Sequence, residues 1–205
     1  EEKQIYETTE DENAYANHIV AIIPCYNEDA TIGSVITKAK LYAHEIVIVD
    51  DGSTDDTKKI AEALGATVIS HRFNLGKSAA IKTGFKYILE NRGDIIITLD
   101  GDGQHNAAEI PNMLSTMQKD DSDIIVGLRS GKRTEMPLYR RVGKRVLDYA
   151  TSLGNGGMLT DSQSGFRLYT RNALQQMTPK LQGNAFSTES EQLMIASDLQ
   201  FQVST

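Results

Sequence analysis

The chain has one cysteine, Cys25, and no tryptophan in its 205 residues. A lone thiol excludes an internal disulfide framework and leaves no cysteine cluster for zinc. The four histidines (His18, His44, His71 and His105) are scattered without ligand spacing. No apolar run approaches the roughly 18 residues that cross a bilayer. The opening Glu1-Glu2-Lys3-Gln4 is not a secretory signal, so the sequence as given reads as soluble and cytosol-exposed. Two phosphate-binding signatures are also missing. No Gly-x-Gly-x-x-Gly follows the first apolar run, and Gly76-Lys77-Ser78 lacks the glycine five residues before Gly76 that a Walker loop needs. That segment is expected to shape a turn and a helix start.

What is present suffices for one α/β domain with a real core, since 40% of the residues are hydrophobic. A formal charge of −7 argues against general nucleic-acid binding, but it averages two opposed segments. Residues 1–17 carry six acids against one lysine and no apolar periodicity, and read as a flexible acidic arm before a domain spanning 18–205. From Arg129 to Arg145, seven basic residues, including Arg140, Arg141 and Lys144, face only Glu135. A phosphate-bearing partner or a solvated helix face accounts for that run. The missing initiator methionine and the abrupt end are those expected of a fragment.

Short apolar runs at Ile19–Ile23, Glu45–Val49, Thr67–Ser70, Asp94–Leu99 and Asp123–Gly127 alternate with helical stretches. That rhythm predicts a mostly parallel, doubly wound sheet with helices on both faces. After Gly127 the basic segment is expected to run into a helix ending near Leu153. A further helix is expected over Glu189–Ala196 and a strand over Leu199–Val203. In such folds ligands bind beyond the carboxyl ends of the strands, so the loops after Ile23, Val49, Ser70, Leu99 and Gly127 should share one edge.

The chemistry on that edge is complementary. Asp100 and Asp102, one glycine apart after the run ending at Leu99, are hard oxygen donors suited to Mg²⁺ or Mn²⁺ holding a diphosphate. Taken alone, Asp-Gly-Asp is equally an ordinary polar turn. Pro24 fixes the exit from the first strand, Tyr26 can stack on a flat ligand, and Glu28 adds an acceptor. Asp50 and Asp51 can accept from a base or a ribose, or cap the next helix; for Ser53, Thr54 and Asp55 capping is favoured. Acids, an aromatic and a separate Asp-x-Asp point to a nucleoside diphosphate as leaving group.

In order along the chain stand Pro24-Cys25-Tyr26-Asn27-Glu28, Asp50-Asp51-Gly52-Ser53-Thr54-Asp55, Asn74-Leu75-Gly76-Lys77, Asp100-Gly101-Asp102-Gly103-Gln104, Gly127-Leu128-Arg129 and Ser164-Gly165-Phe166-Arg167. Together, over roughly residues 18–203, they resemble the family 2 glycosyltransferases of GT-A fold, most closely the dolichyl-phosphate (polyprenyl-phosphate) mannose synthase branch. The resemblance implies a nucleotide-binding set of Pro24, Tyr26, Glu28, Val49 and Asp51, with Lys77 also on the substrate, and a metal and diphosphate set of Asp100, Asp102 and Gln104. It implies that Arg129 and Arg140 meet donor and acceptor phosphates, that Glu191 lies in a sugar-side pocket, and that Asp161 positions the acceptor loop. Asp102, Arg129, Asp161 and Glu191 are the catalytic candidates. Two departures concern the acceptor: Leu128 where the family often has serine, and Lys144 where relatives can carry serine.

The implied reaction is inverting transfer of a hexose from a nucleotide-diphosphate sugar to a polyprenyl or dolichyl phosphate. It would use Mg²⁺ or Mn²⁺ on the cytoplasmic side of a membrane, with no nucleic acid involved. A hydroxyl acceptor, as in glycan extension, would need a carboxylate base such as Asp161 or Glu191. The absence of tryptophan removes the Gln-x-x-Arg-Trp motif typical of that branch. From another class, a non-catalytic nucleotide-sugar binding module would fit less well with an intact Asp100, Asp102 and Gln104.

Overall fold

The computed structural model describes residues 17–127, 164–182 and 188–205. The acidic arm up to residue 16, the basic segment and helix expected between Arg129 and Leu153, and with them Arg129, Arg140, Lys144 and Asp161, lie outside the described residues. The strands are β1 (Ile19–Cys25), β2 (Glu45–Asp50), β3 (Thr67–Ser70), β4 (Ile95–Thr98), β5 (Ile124–Val126), β6 (Arg167–Thr170) and β7 (Val203–Ser204). The helices are α1 (Ile32–Ala39), α2 (Thr57–Ala63), α3 (Lys77–Glu90), α4 (Ile110–Lys119), α5 (Arg171–Met177) and α6 (Thr188–Asp198).

The described strands form one sheet of order β3-β2-β1-β4-β6-β5-β7. All pairings are parallel except those of β6, which runs antiparallel between β4 and β5. The five strands expected up to Gly127 are present, the strand expected over Leu199–Val203 is confined to β7 at Val203–Ser204, and β6 is an addition to them. Because β6 is reversed, its amino end, Ser164-Gly165-Phe166, arrives at the edge where the parallel strands finish. Its charged start hid it from a strand reading, since Arg167 carries a guanidinium into the buried interior. That group, 1% exposed, donates to the Ser164 carbonyl, the Glu189 carbonyl and the Gln192 side-chain oxygen at 2.9, 3.0 and 3.0 Å.

Alternation along the strands sends side chains to two cores, as period-two geometry requires. Ala21, Ile23, Ile46, Ile48, Ile95 and Ile97 pack with α1 and α4. Val20, Ile22, Val47, Val49 and Ile96 pack with Ala80, Phe85 and Ile88 of α3 and with α5. Pro24 is tolerated within a central strand for a positional reason. The Ile22 carbonyl bonds Leu99 N on the β4 side, so two residues on, the missing N–H of Pro24 faces that side beyond the last pair, Ile22 with Thr98.

Arg171 opens α5 and closes α3. Its guanidinium donates to the carbonyls of Ile88, Leu89, Asn91 and Gly93 at 2.9–3.2 Å, satisfying the orphan acceptors at a helix end. Arg171→Ala should cost about 1–2 kcal/mol, seen as a lower urea midpoint with an unchanged slope.

Candidate active site

Two loops build one wall of a cleft at the carboxyl edge of the sheet. After β1, Asn27 takes a positive φ of 55°, and its side chain accepts from Thr54 N at 2.8 Å while its own N–H donates to Ser53 Oγ at 2.9 Å. Asp55 Oδ1 accepts from Thr57 N at 3.0 Å and so satisfies the first N–H of α2 from one residue before the N-cap Asp56, whereas Ser53 and Thr54 serve the Asn27 loop instead. Gly52 at φ 77° would put a Cβ 2.6 Å from the Phe73 carbonyl carbon, so only glycine lets these two loops meet.

Both expected base-reading acids are largely spoken for by the protein. Asp50 and Asp51 are each 3% exposed. Asp50 Oδ1 accepts from Ser53 N at 3.0 Å. The Asp51 carboxylate accepts from Leu75 N at 2.9 Å, from Gly76 N at 2.7 Å and from His71 Nδ1 at 2.7 Å. His71 in turn reaches Thr83 Oγ1 on α3 at 2.9 Å. Asp51 therefore shapes the Asn74-Leu75-Gly76 turn, and it lines the cleft together with Pro24, Tyr26, Glu28 and Asn74. Tyr26 is 44% exposed, so its ring is available to a ligand face. Val49 is fully buried against α3, so its side chain packs in the core. Cys25 also lines the cleft. Burial first, then the carboxylates of Asp50 and Glu28, push its thiol up to about 12, which leaves no nucleophile there.

The opposite wall is the aspartate loop after β4. Asp100 Oδ1 pairs with Lys77 Nζ at 2.6 Å and Oδ2 with His105 Nε2 at 3.1 Å. Burial alone would raise this carboxyl, but the His105 hydrogen bond and the Lys77 charge outweigh it and hold Asp100 well below the usual carboxylate range. A depressed folded value means a stabilisation that is complete above the ordinary carboxylate range and is lost as pH falls below it. The thermal midpoint of the wild-type chain should therefore drop more steeply below about pH 4 than that of Asp100→Asn; parallel curves would contradict this.

Asp102 differs. Its Oδ1 accepts from Gln104 N at 2.9 Å, and it lines the cleft with Gly101 and Lys77, while Gln104 is exposed and stands outside the lining. Gly101 admits no larger residue easily, its ideal Cβ lying 3.1 Å from Cys25 Cβ. Thr31 Oγ1 ties the two walls together, lying 2.7 Å from the Gly101 carbonyl and 3.0 Å from Glu28 Oε2. Among the described residues no three His, Cys, Asp or Glu side chains converge into a closed metal cage. The loop instead offers the Asp102 carboxylate on an open rim beside Asp100, an oxygen-only donor set that suits a hard divalent cation completed by ligand oxygens.

Lys77, at the start of α3, also pairs with Glu189 Oε1 at 2.7 Å. Burial would lower its pKa, but Asp100 and Glu189 outweigh that and raise it, so the ammonium stays charged. Ser78 bonds Thr188 side chain to side chain, so the starts of α3 and α6 are stapled together. The acid that α6 brings to the cleft side is thus Glu189. Glu191 instead uses Oε1 to accept from Gln182 N at 2.7 Å, because two residues on a helix turn a side chain by about 200°. Glu189 and His105, like Thr31 and His71, are site residues the sequence left unassigned. Glu189 was hidden by the neighbouring Glu191, and His105 by the lack of any spacing between histidines.

The chain matches the model of "Glycosyl transferase family 2" over residues 20–178. It is 35% identical over 199 residues to a UDP-N-acetylglucosamine–dolichyl-phosphate N-acetylglucosaminyltransferase of Methanococcus voltae, covering 87% of this chain and 79% of that one. It is 34% identical over 197 residues to an uncharacterized protein of Methanocaldococcus jannaschii, with coverage of 94% and 79%. A dodecaprenyl-phosphate galacturonate synthase of Rhizobium johnstonii is 29% identical, over 79% of this chain and 50% of that protein. Glucosyl-3-phosphoglycerate synthase from Mycobacterium tuberculosis, solved with UDP, superposes with a TM-score of 0.69 at 24% identity, over 94% of this chain and 72% of that one. That likeness carries the fold, a GT-A arrangement of the mostly parallel sheet. The chain belongs to glycosyltransferase family 2.

Proposed function

We propose that this glycosyltransferase moves a hexose, with inversion, from a nucleotide-diphosphate sugar to a polyprenyl or dolichyl phosphate on the cytoplasmic side of a membrane. The observation that carries the reading is the pairing of an open Asp102 with a clamped Asp100 beside Lys77 and Glu189, facing Tyr26 and Asp51 across one cleft. The named activities of the Methanococcus and Rhizobium relatives support the acceptor class.

Asp102 and Asp100 are the residues to hold Mg²⁺ or Mn²⁺, with Gln104 next along the loop. When bound, the ion supplies charge neutralisation to the departing diphosphate. Tyr26 and the Asn74 turn held by Asp51 orient the nucleoside, and Lys77 places a fixed cation beside the aspartate loop. The anomeric carbon exchanges its bond to the diphosphate oxygen for one to an acceptor phosphate oxygen. An ionised phosphate is already a nucleophile, so no carboxylate base is required. Arg129, Arg140 and Lys144, in the basic segment, are assigned to positioning the acceptor phosphate, offsetting the repulsion between two anionic reactants.

The test is a screen of UDP- and GDP-sugars with a short polyprenyl phosphate and Mn²⁺, products identified by mass. One glycosyl-phosphoryl-polyprenol is expected. Nucleotide-sugar binding with neither transfer nor donor hydrolysis would make the chain a binding module instead.

A further inference from the structure

His105, at the back of the aspartate loop, is half-buried as a residue but has a buried ring. Its side chain is 2% exposed, and it does not line the donor cleft. It faces a smaller pocket behind Asp100, with Val35, Leu99, Gly103 and Ala107. Gly103 at φ 73° turns the chain so that residue 105 returns beneath residue 100. On the far side the backbone is fixed as well, because Asn106 Oδ1 accepts from Ala108 N at 3.2 Å at the approach to α4.

The ring is held in place from below. It lies 5.4 Å from the Phe166 ring at 37°, and Phe166 is itself fully buried with no room to shift toward Gly127, whose ideal Cβ would lie 2.7 Å from it. Since an ionised carboxylate only accepts, the 3.1 Å contact with Asp100 Oδ2 makes His105 Nε2 the donor. Lys77 takes the other oxygen. The Asp100 carboxylate is thus clamped between α3 on one side and the entry to α4 on the other.

We propose that His105 is a positioning residue of the donor site: by fixing Asp100 through Nε2, it sets the loop geometry that presents Asp102 to a divalent cation and a nucleoside diphosphate. It touches neither ligand and acts through Asp100. The inference rests on the donor-site reading above and names a residue that reading does not need.

The test uses the whole chain with Mn²⁺ and UDP as probes. His105→Phe keeps a ring against Phe166 but removes the donor, whereas His105→Gln restores an N–H that reaches the same carboxylate. By titration calorimetry, His105→Phe should bind Mn²⁺ in the presence of UDP about 10–100-fold more weakly than wild type, and His105→Gln should recover most of the loss. In urea, Asp100→Ala should lower the midpoint clearly in the wild-type background and by measurably less in the His105→Phe background, where only the Lys77 pair remains to be lost, the signature of a direct coupling. Wild-type affinity in His105→Phe, no recovery in His105→Gln, or additive urea shifts would each overturn the proposal. If His105→Phe does not fold, His105→Met, an apolar chain without a donor, makes the same comparison. A wild-type chain that fails to bind Mn²⁺ with UDP overturns the donor-site reading instead, and the urea coupling still decides whether His105 positions Asp100.

Discussion

Asp102→Ala should reduce sugar transfer by on the order of 10³-fold, the scale of losing several kcal/mol of charge stabilisation at a leaving diphosphate. The thermal midpoint should stay close to that of the wild type. The separation follows from how the carboxylate is held: among the described residues its one hydrogen bond is to Gln104 N within the same exposed turn, and surface changes of that kind usually fall within about 0.5 kcal/mol. Asp100→Ala should behave differently, losing stability as well as activity, because it strips partners from Lys77 and His105. Circular-dichroism melts beside a Mn²⁺-dependent transfer assay distinguish the two aspartates. If both variants melt together below wild type, the division between clamped and open carboxylates is wrong.

Gly165→Ala should also be damaging, although it replaces no charged group. An ideal Cβ there lies 2.6 and 2.7 Å from the two Asp100 oxygens and 2.8 Å from Lys77 Nζ, so the ion pair has to move. The atoms that must give are side-chain ends, so the loss of stability is small, about 1 kcal/mol, while an ångström of misplacement at a reacting site costs about 10²-fold in rate. Gly33→Ala on α1 is the matched control, since its added Cβ meets Ile60 at an ordinary 3.5 Å and gains helix propensity. Equal activity in the two variants would show that β6 does not bear on the aspartate loop.

The parallel half of the fold could be read from the chain because burial on both faces forces strands such as Ile95–Thr98 into continuous apolar runs. The aspartate loop was legible for the related reason that such a run ends abruptly in acids. β6 was not, since Arg-Leu-Tyr-Thr is short and begins with a charge. Its burial depends on Gln192 and on the Glu189 carbonyl, both more than 20 residues away along the chain. The choice between Glu189 and Glu191 was equally invisible, because two acids one residue apart announce an acidic helix start but not its rotational phase. Packing of Thr188 against Ser78 sets that phase. Asp51 shows the opposite limit. Residue type suggested a ligand contact, and Asp51 does line the cleft, but its further work as the acceptor for the turn that follows β3 depends on a fold that residue type does not show.

The most direct test of the central claim is acceptor discrimination at fixed donor. The chain, Mn²⁺ and the nucleotide sugar selected by the donor screen are incubated in parallel with a polyprenyl monophosphate, the matching polyprenol and a free oligosaccharide, and products are weighed by mass spectrometry. A single product is expected, one hexosyl residue added to the polyprenyl phosphate, with neither hydroxyl acceptor modified. Transfer to the polyprenol or the oligosaccharide at a comparable rate would contradict it, because a hydroxyl nucleophile requires the carboxylate base that this mechanism omits.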